Sequence, residues 1–322
     1  MRDQAASRQD SLDALKGFVT VAMASLHLSH WFREGFTFDL FKWFDPFVFS
    51  TFLFCFGVGN GLSSHPKKIK PLFQILFLIF LGSLINTLCT DSQNLFPTLR
   101  NLITLRNQVP FADFLHPFAF AYLLVWLLER SKFPALPKAW FGLGISIFLF
   151  GLGLILKVHL PAGTALSALW AGSFASFQNS PIFFFGLAFA VWRKTGYAGV
   201  LTPKKPFYSI GAALGLLSLF VALPYFSRFD FPWKISGSAD YVLIGIFVGL
   251  LALTATQALL PRLGNRVYSG LVGMGKHTLR SLTIQVLTLP PLGFFLSQNT
   301  ASSPLRGALA LAYLVALIIC TR

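Results

Sequence analysis

Long apolar runs alternate with short polar connections along most of the chain. About 20 apolar residues in a helix cross a bilayer core, and about ten runs approach that length. Helices rather than strands are predicted, because a spanning segment must satisfy its own backbone hydrogen bonds and few strand-like alternations occur. The predicted spans are 14–33, 45–63, 70–89, 113–128, 139–156, 181–193, 206–226, 239–260, 279–297 and 305–321.

The connections between these spans are short, and no soluble domain is evident. The longest interruption, 90–112, is predicted to be an external loop. The stretch 164–180 is only partly apolar, and it is either a re-entrant helix or the start of the sixth span. We therefore expect one all-α integral-membrane domain over residues 1–322, built as a polytopic bundle of about ten transmembrane helices.

Composition supports a membrane environment. Of the 322 residues, 55% are hydrophobic and only 11% are charged, with a mean hydropathy of +0.66. Soluble domains carry about 25% charged residues. The chain is therefore predicted to be a multi-pass protein of the cell (inner or plasma) membrane, with lipid as its main solvent. Its cysteines have no paired spacing, so neither a disulfide framework nor a metal site is predicted.

The net charge of +15 has an explanation in topology. In a soluble protein such an excess would suggest a nucleic-acid partner. Here the basic residues concentrate in alternate connections, so positive-inside anchoring explains them and no nucleic-acid partner is expected. The even-numbered connections and both termini are predicted to be cytoplasmic. The basic residues of those connections are Lys67, Lys68, Lys70, Arg130, Lys132, Lys138, Arg193, Lys194, Lys204, Lys205, Arg262 and Arg266.

The first span carries two ionisable side chains, Lys16 and His27. Such groups at membrane depth are costly and are candidates for function. Eleven residues separate them, which places both on one helix face about 16 Å apart. Lys16 either binds an anionic ligand from the cytosol, snorkels to the surface, or pairs with Asp13. His27, with His30 one turn further on, is either a general base or a hydrogen-bonded core histidine.

Two later groups of polar residues are also candidates. Asp113 and His116 lie one turn apart at the outer start of the fourth span. They either bind an acceptor or orient His27, or they are an N-cap aspartate and a solvated histidine. Lys276 precedes the ninth span on the predicted cytoplasmic side, where it either contacts donor phosphates or anchors the helix.

The first span also carries a recognisable motif. Leu12-Asp13-Ala14-Leu15-Lys16-Gly17 followed by His27 resembles a Leu-Asp-x-Leu-Arg-Gly opening with a histidine eleven residues after the arginine, here replaced by lysine. Ala112-Asp113-Phe114-Leu115-His116, and Gly275-Lys276-His277-Thr278-Leu279 followed by Gln285, are similar to later motifs of the same proteins. These are the transmembrane acyltransferases: the acyltransferase-3 family, heparan-α-glucosaminide N-acetyltransferases, OpgC-type succinyltransferases and YeiB-like proteins.

The resemblance implies acyl transfer across the membrane. The donor would be a cytoplasmic acyl-CoA, with acetyl-CoA expected, and the acceptor an extracytoplasmic hydroxyl or amine, expected on a glycan. His27 would be the catalytic base. Lys16 and Lys276 would bind the donor. The residues expected to bind the acceptor or to support His27 are Asp13, His30, Asp113, His116 and Gln285.

Two other functions compete with this one. Helices interrupted by Gly and Pro around a membrane histidine also fit a proton-coupled transporter or flippase. That function predicts buried acids near the midplane, whereas the eleven acidic residues lie mostly at segment ends. The other alternative is a catalytically inactive relative of the acyltransferases.

Overall fold

A computed structural model describes residues 2–32, 45–63, 68–90, 95–105, 113–131, 134–171, 174–194, 238–259, 262, 264–298 and 303–321. These residues form eleven α-helices and two short 3-10 turns, with no strand among them. The helices are α1 Arg2–Phe32, α2 Asp45–Leu62, α3 Lys70–Thr90, α4 Leu95–Ile103, α5 His116–Glu129, α6 Ala135–His159, α7 Ser176–Lys194, α8 Ala239–Leu259, α9 Asn265–Lys276, α10 Thr278–Gln298 and α11 Ser303–Thr321. The 3-10 turns are Asp113–Leu115 and Ser167–Leu169.

The all-helical prediction is confirmed for the described residues, with differences in several boundaries. A helix covers each predicted span except 206–226, which lies outside the described residues. The helix at the sixth predicted span, α7, begins at Ser176 rather than at 181. Residues 176–180 are therefore the start of that helix and not a separate re-entrant helix. Two further helices, α4 and α9, lie in stretches predicted to be connections.

Among the described helices, three are long and apolar enough to cross a membrane by length and composition: Lys70–Cys89, Pro137–His159 and Ala239–Ala258. Shorter apolar helices cover Phe47–Leu62, His116–Glu129 and Gly307–Cys320. Only 22% of the apolar stretch of α6 is buried inside the protein, and Phe148 on this helix is 69% exposed. Exposed apolar surface of this extent is consistent with a helix that faces lipid.

The chain divides into two compact units. Unit 1 comprises residues 1–52 and 250–322, and unit 2 comprises residues 53–249. Both boundaries fall inside helices, at α2 and at α8. The single domain predicted over the whole chain therefore stays a prediction.

In unit 1, α1 packs against α9 and also contacts α10 and α11. Ala24, Met274 and Leu317, from α1, α9 and α11, form a buried core cluster in which Ala24 and Met274 are fully buried. Apolar side chains of α10 and α11, including Ile284 and Leu314, pack against this cluster. The part of α1 that comes after Leu12–Gly17 is thereby packed against three helices, α9, α10 and α11.

In unit 2, α2 and α7 run parallel. The backbone of Gly57 approaches that of Phe183, and Gly61 approaches Leu187 one turn further along both helices. A side chain at either glycine would collide with the opposite helix, since a Cβ at Gly61 would lie 2.6 Å from the Leu187 carbonyl oxygen. Small residues therefore permit this close contact, as in many membrane helix pairs.

The other helices of unit 2 follow from their contacts with α7. A Cβ at Gly142 would meet Phe184 at 2.7 Å and one at Gly153 would meet Gln178 at 2.9 Å, so α6 runs antiparallel to α7. Helix α5 runs parallel to α7. Near their starts, the Phe120 and Phe177 rings lie 5.3 Å apart. Further along, Leu128 of α5 and Phe184 of α7 both lie next to Gly142 of α6.

These directions bring basic residues to one end of unit 2. Helices α2, α5 and α7 end there, and α3 and α6 begin there. The Lys194 Nζ donates to the Leu62 carbonyl at 3.4 Å, and the Tyr122 hydroxyl donates to the Lys68 carbonyl at 2.9 Å. We call this the basic end of unit 2, and its described cationic residues are Lys68, Lys70, Arg130, Lys138, Arg193 and Lys194. They come from the three connections that the charge pattern assigns to one side of the membrane.

At the far end of unit 2, two segments are joined through their backbones. The Leu166 N–H donates to the Thr104 carbonyl at 3.0 Å, and the Ala168 N–H donates to the Leu105 carbonyl at 2.9 Å. Leu105 and Leu166 have positive φ values of 49° and 65°. This left-handed conformation is costly for residues with a Cβ, so the paired segments hold each other in a strained backbone.

Replacing Leu166 by glycine tests this strain. Glycine removes the penalty of the left-handed conformation but increases the entropy of the unfolded chain. Leu160, which is 41% exposed and has an extended backbone with φ of −115°, is a matched control for Leu166 at 49% exposure. We expect Leu166→Gly to be less destabilising than Leu160→Gly by about 1 kcal/mol in thermal or denaturant unfolding. Equal losses would contradict the strain.

Candidate functional site

Helix α1 is continuous from Arg2 to Phe32 and has no break between Lys16 and His27. The two residues therefore lie on one face, separated by about 16 Å along the axis. The Lys16 side chain is 21% exposed, and His27 is also partly buried. One turn before His27, Ala24 is fully buried in the core cluster of unit 1. The predicted placement of Lys16 and His27 on one face of a continuous helix is thus present in α1.

Helix α9 packs on the Lys16 end of α1 through two glycines. Gly17 of α1 lies against the Leu271 carbonyl, and Gly275 of α9 lies against the Asp13 carbonyl. Each helix therefore places a glycine against the backbone of the other helix. The two helices are antiparallel, because the later residue of α1 meets the earlier residue of α9. Contacts of this kind permit weak Cα–H···O=C interactions between the two backbones. They fix the position of Asp13 and of the residues one turn on either side of it.

Two ion pairs lie at this junction. The Lys16 ammonium is 2.5 Å from an Asp13 carboxylate oxygen, and the Lys276 ammonium is 3.1 Å from an Asp10 carboxylate oxygen. The Asp13–Lys16 pair is the helix-surface alternative raised by the sequence, and the structure contains it. Asp10 was not recognised as a partner from the sequence, because it meets Lys276 only through the packing of α9 on α1.

The two pairs differ in burial. The Lys276 and Asp10 side chains are 52% and 39% exposed, so this ion pair is largely solvated and contributes little to stability. The Lys16 and Asp13 side chains are only 21% and 15% exposed. A lysine that is already paired binds an incoming anion by sharing or exchanging its carboxylate partner. The Lys16 ammonium is therefore already paired with a carboxylate in a partly buried position.

Helix α10 contributes Gln285, which is 2% exposed. Neither of its amide atoms makes a hydrogen bond to the part of the chain that the structure describes. Ser281, one turn earlier, is fully buried and its hydroxyl donates to the His277 carbonyl at 3.4 Å. Leu282 is also buried. Gln285 is thus a polar group inside unit 1, on a helix that contacts α1.

Asp113 and His116 belong to unit 2, where the backbone differs from the prediction. Helix α5, at the fourth predicted span, begins at His116, and Asp113 starts the 3-10 turn that precedes it. The N-cap of α5 is Leu115, which makes no side-chain cap hydrogen bond, so the N-cap alternative for Asp113 is wrong. His116 is 7% exposed, which contradicts a solvated histidine.

The structure therefore brings together part of the predicted set. Asp13, Lys16 and Lys276 meet where α1 and α9 pack. His27 and Gln285 lie in the same unit on α1 and α10, and His30 lies in the last turns of α1. No three His, Cys, Asp or Glu side chains gather in the described ranges in a way that could hold a metal ion.

Comparison with family models, with curated proteins and with solved structures found no match to this chain. The class of protein that the described residues define is an all-helical protein with apolar helices consistent with a membrane. Its activity is addressed by the proposal that follows.

Proposed function

We propose that this chain is a membrane-embedded acyltransferase that moves an acyl group from cytoplasmic acyl-CoA to an extracytoplasmic hydroxyl or amine. The observation that carries the proposal is the unbroken helix α1, with Lys16 and His27 on one face about 16 Å apart. The likeness of the motif at Leu12–Gly17 and His27 to transmembrane acyltransferases supports it. Acetyl-CoA is the donor proposed first, and a glycan the acceptor.

The separation of the two residues suits a long donor. The anionic phosphates of CoA are joined to its thioester by an extended, flexible arm, so the two ends need separate sites. Lys16 is a point charge suited to phosphate. An imidazole several turns deeper is suited to remove a proton from the attacking group. Lys276 lies beside Asp10 at the Lys16 end of α1 and is proposed to contact the same donor.

The proposed reaction moves one proton and exchanges one bond. His27 accepts the proton of the acceptor hydroxyl or amine as its oxygen or nitrogen attacks the thioester carbonyl. The new bond forms between acceptor and acyl carbon, the carbon–sulfur bond breaks, and the CoA thiolate takes up a proton. Gln285, buried in the same unit, is proposed to position the acceptor or His27.

We also propose the ten-span topology with both termini in the cytoplasm. The described helices at nine of the ten predicted positions are compatible with it. The shared basic end of unit 2 supports the assignment of connections two, four and six to one side. Cysteine-accessibility labelling at Lys138 and at Val158, near opposite ends of α6, tests the orientation.

Replacing Lys16 by alanine tests the donor site. Purified protein in nanodiscs is supplied with acetyl-CoA, and release of free CoA thiol is measured over a range of donor concentrations. We expect Lys16→Ala to raise the donor KM about tenfold while kcat changes much less, because the charge is proposed to bind donor and transition state alike. Lys157→Ala, which removes an exposed cation near the end of α6, is the control.

Two results would overturn the proposed function. Wild-type protein that is folded yet neither hydrolyses acetyl-CoA nor transfers its acyl group contradicts the reaction. Substrate-dependent proton movement in liposomes without thioester cleavage would instead favour the transporter.

A further inference from the structure

The start of α7 concentrates buried polar groups in unit 2. Gln178 is fully buried, and its Nε2 donates to the Trp170 carbonyl at 2.7 Å. Its Oε1 has no hydrogen-bond partner in the described chain, nor has the indole N–H of Trp170, which is 8% exposed. Burying such an atom without a partner is unfavourable, because its hydrogen bonds to water are lost and not replaced. An acceptor and a donor without partners thus belong to two residues that are joined by a hydrogen bond.

Aromatic rings flank these groups. The Trp170 and Phe177 ring centroids are 6.4 Å apart, and those of Phe177 and Phe120 are 5.3 Å apart. A Cβ at Gly153 would lie 2.9 Å from the Gln178 Nε2, so this glycine lets α6 approach the amide. These neighbours carry no charge. The described residues at this position therefore offer hydrogen bonds and apolar faces.

Ser176 and Asn179 lie outside this cluster, although both are buried. They occupy the face of α7 that carries Phe183 and Leu187 toward α2, which is opposite to Gln178 on the helix. Asn179 also uses its Nδ2 to donate to the Ala175 carbonyl at 2.9 Å. The candidate site is therefore limited to Trp170 and Gln178 with the flanking rings.

We propose that Trp170 and Gln178 form a binding site for an uncharged ligand with neighbouring hydroxyl groups, such as a sugar ring. The indole N–H donates to a ligand oxygen, and the Gln178 Oε1 accepts from a ligand hydroxyl. The hydrogen bond to the Trp170 carbonyl fixes the amide, so the oxygen rather than the NH₂ group remains for the ligand. The aromatic rings pack against the apolar C–H face of the sugar.

The site lies at the end of unit 2 opposite its basic end. Trp170 belongs to the segment 160–171, which is joined to Thr104 and Leu105 by the two backbone hydrogen bonds of the strained pair. That pairing holds Trp170 in position over Phe177. The inference is independent of acyl transfer, since it uses only residues of unit 2 and no catalytic group.

Sugar binding to the full-length protein in nanodiscs tests the site. The probes are methyl β-glucoside and a β-linked glucose trisaccharide, with tryptophan fluorescence and thermal unfolding as measurements. We expect saturable binding that raises the unfolding temperature. Trp170→Phe and Gln178→Leu should each weaken it about fivefold or more, because each removes one hydrogen bond to the ligand. Ser180→Ala is the control, a buried serine whose hydroxyl already donates to the Phe177 carbonyl at 2.9 Å.

A structural role would give a different result. If Trp170 and Gln178 only stabilise the fold, the variants lower the unfolding temperature without sugar and leave its sugar-induced rise unchanged. If neither sugar binds, the proposed site is overturned. It is also overturned if a solved structure soaked with the sugar shows a water molecule that bridges the Trp170 indole nitrogen and the Gln178 Oε1. Thiol release from acetyl-CoA is measured on the same samples, so loss of sugar binding with normal thiol release separates this inference from the proposed reaction.

Discussion

Replacing Gly275 by alanine is expected to destabilise the protein by about 2 kcal/mol or more, although the same change elsewhere in a helix is normally stabilising. A Cβ at Gly275 would collide with the backbone carbonyl of Asp13, and a backbone atom cannot rotate away as a flexible side chain can. Helices α1 and α9 would have to separate. Their separation would also disrupt the Asp10–Lys276 ion pair, which depends on this approach.

Gly307→Ala is the matched control for Gly275→Ala. Gly307 lies in α11 of the same unit, and a Cβ there would meet nothing within 4 Å. We expect this variant to be stabilised by about 0.5–1 kcal/mol, the usual gain for alanine over glycine in a helix. Thermal unfolding in detergent micelles, followed by circular dichroism, measures both. Equal stabilisation by the two substitutions would show that the backbones of α1 and α9 are not in contact.

The apolar spans were predictable because each is long and continuous. A run such as 239–260 leaves no choice but a helix once a membrane is inferred, and α8 covers Ala239–Leu259. Boundaries were less certain where polar residues begin a helix. Ser176, Gln178 and Asn179 lower the hydropathy at the start of α7, so the sequence placed this helix five residues too late. Their burial depends on packing that hydropathy does not report.

Helix α9 was missed for a related reason. Its twelve residues include Gly270, Gly273 and Gly275, and each glycine costs a helix about 1 kcal/mol relative to alanine. An isolated segment of this length and composition is not expected to be helical. In the protein one of them, Gly275, permits the close contact with α1. The spacing of small residues was the available signal, but it indicates a packed helix only when the partner is known.

The candidate site was predictable only along the helix that carries it. The common face of Lys16 and His27 follows from their spacing alone, and so does the possible pair with Asp13. The pairing of Lys276 with Asp10 joins residues far apart in the chain, and it required the structure. His116 was predicted at the outer start of a helix, yet its burial depends on the packing of unit 2.

His27→Ala is expected to have the largest effect on activity. Positioned general bases contribute about 10²- to 10⁴-fold, so thioester turnover should fall by at least about 100-fold. The loss should occur in kcat at saturating acetyl-CoA, because His27 is proposed to act on the acceptor rather than to hold the donor. His27→Gln, which retains a polar side chain of similar size but cannot accept the proton, should be as inactive as the alanine variant.

Folding must be separated from chemistry for this variant. His27 is only partly buried, so His27→Ala should unfold close to the wild-type temperature, and donor binding measured with unreactive CoA should be retained. His159→Ala, an exposed histidine at the end of α6, is the control and should retain full turnover. A folded His27→Ala protein with undiminished turnover would exclude His27 as the base.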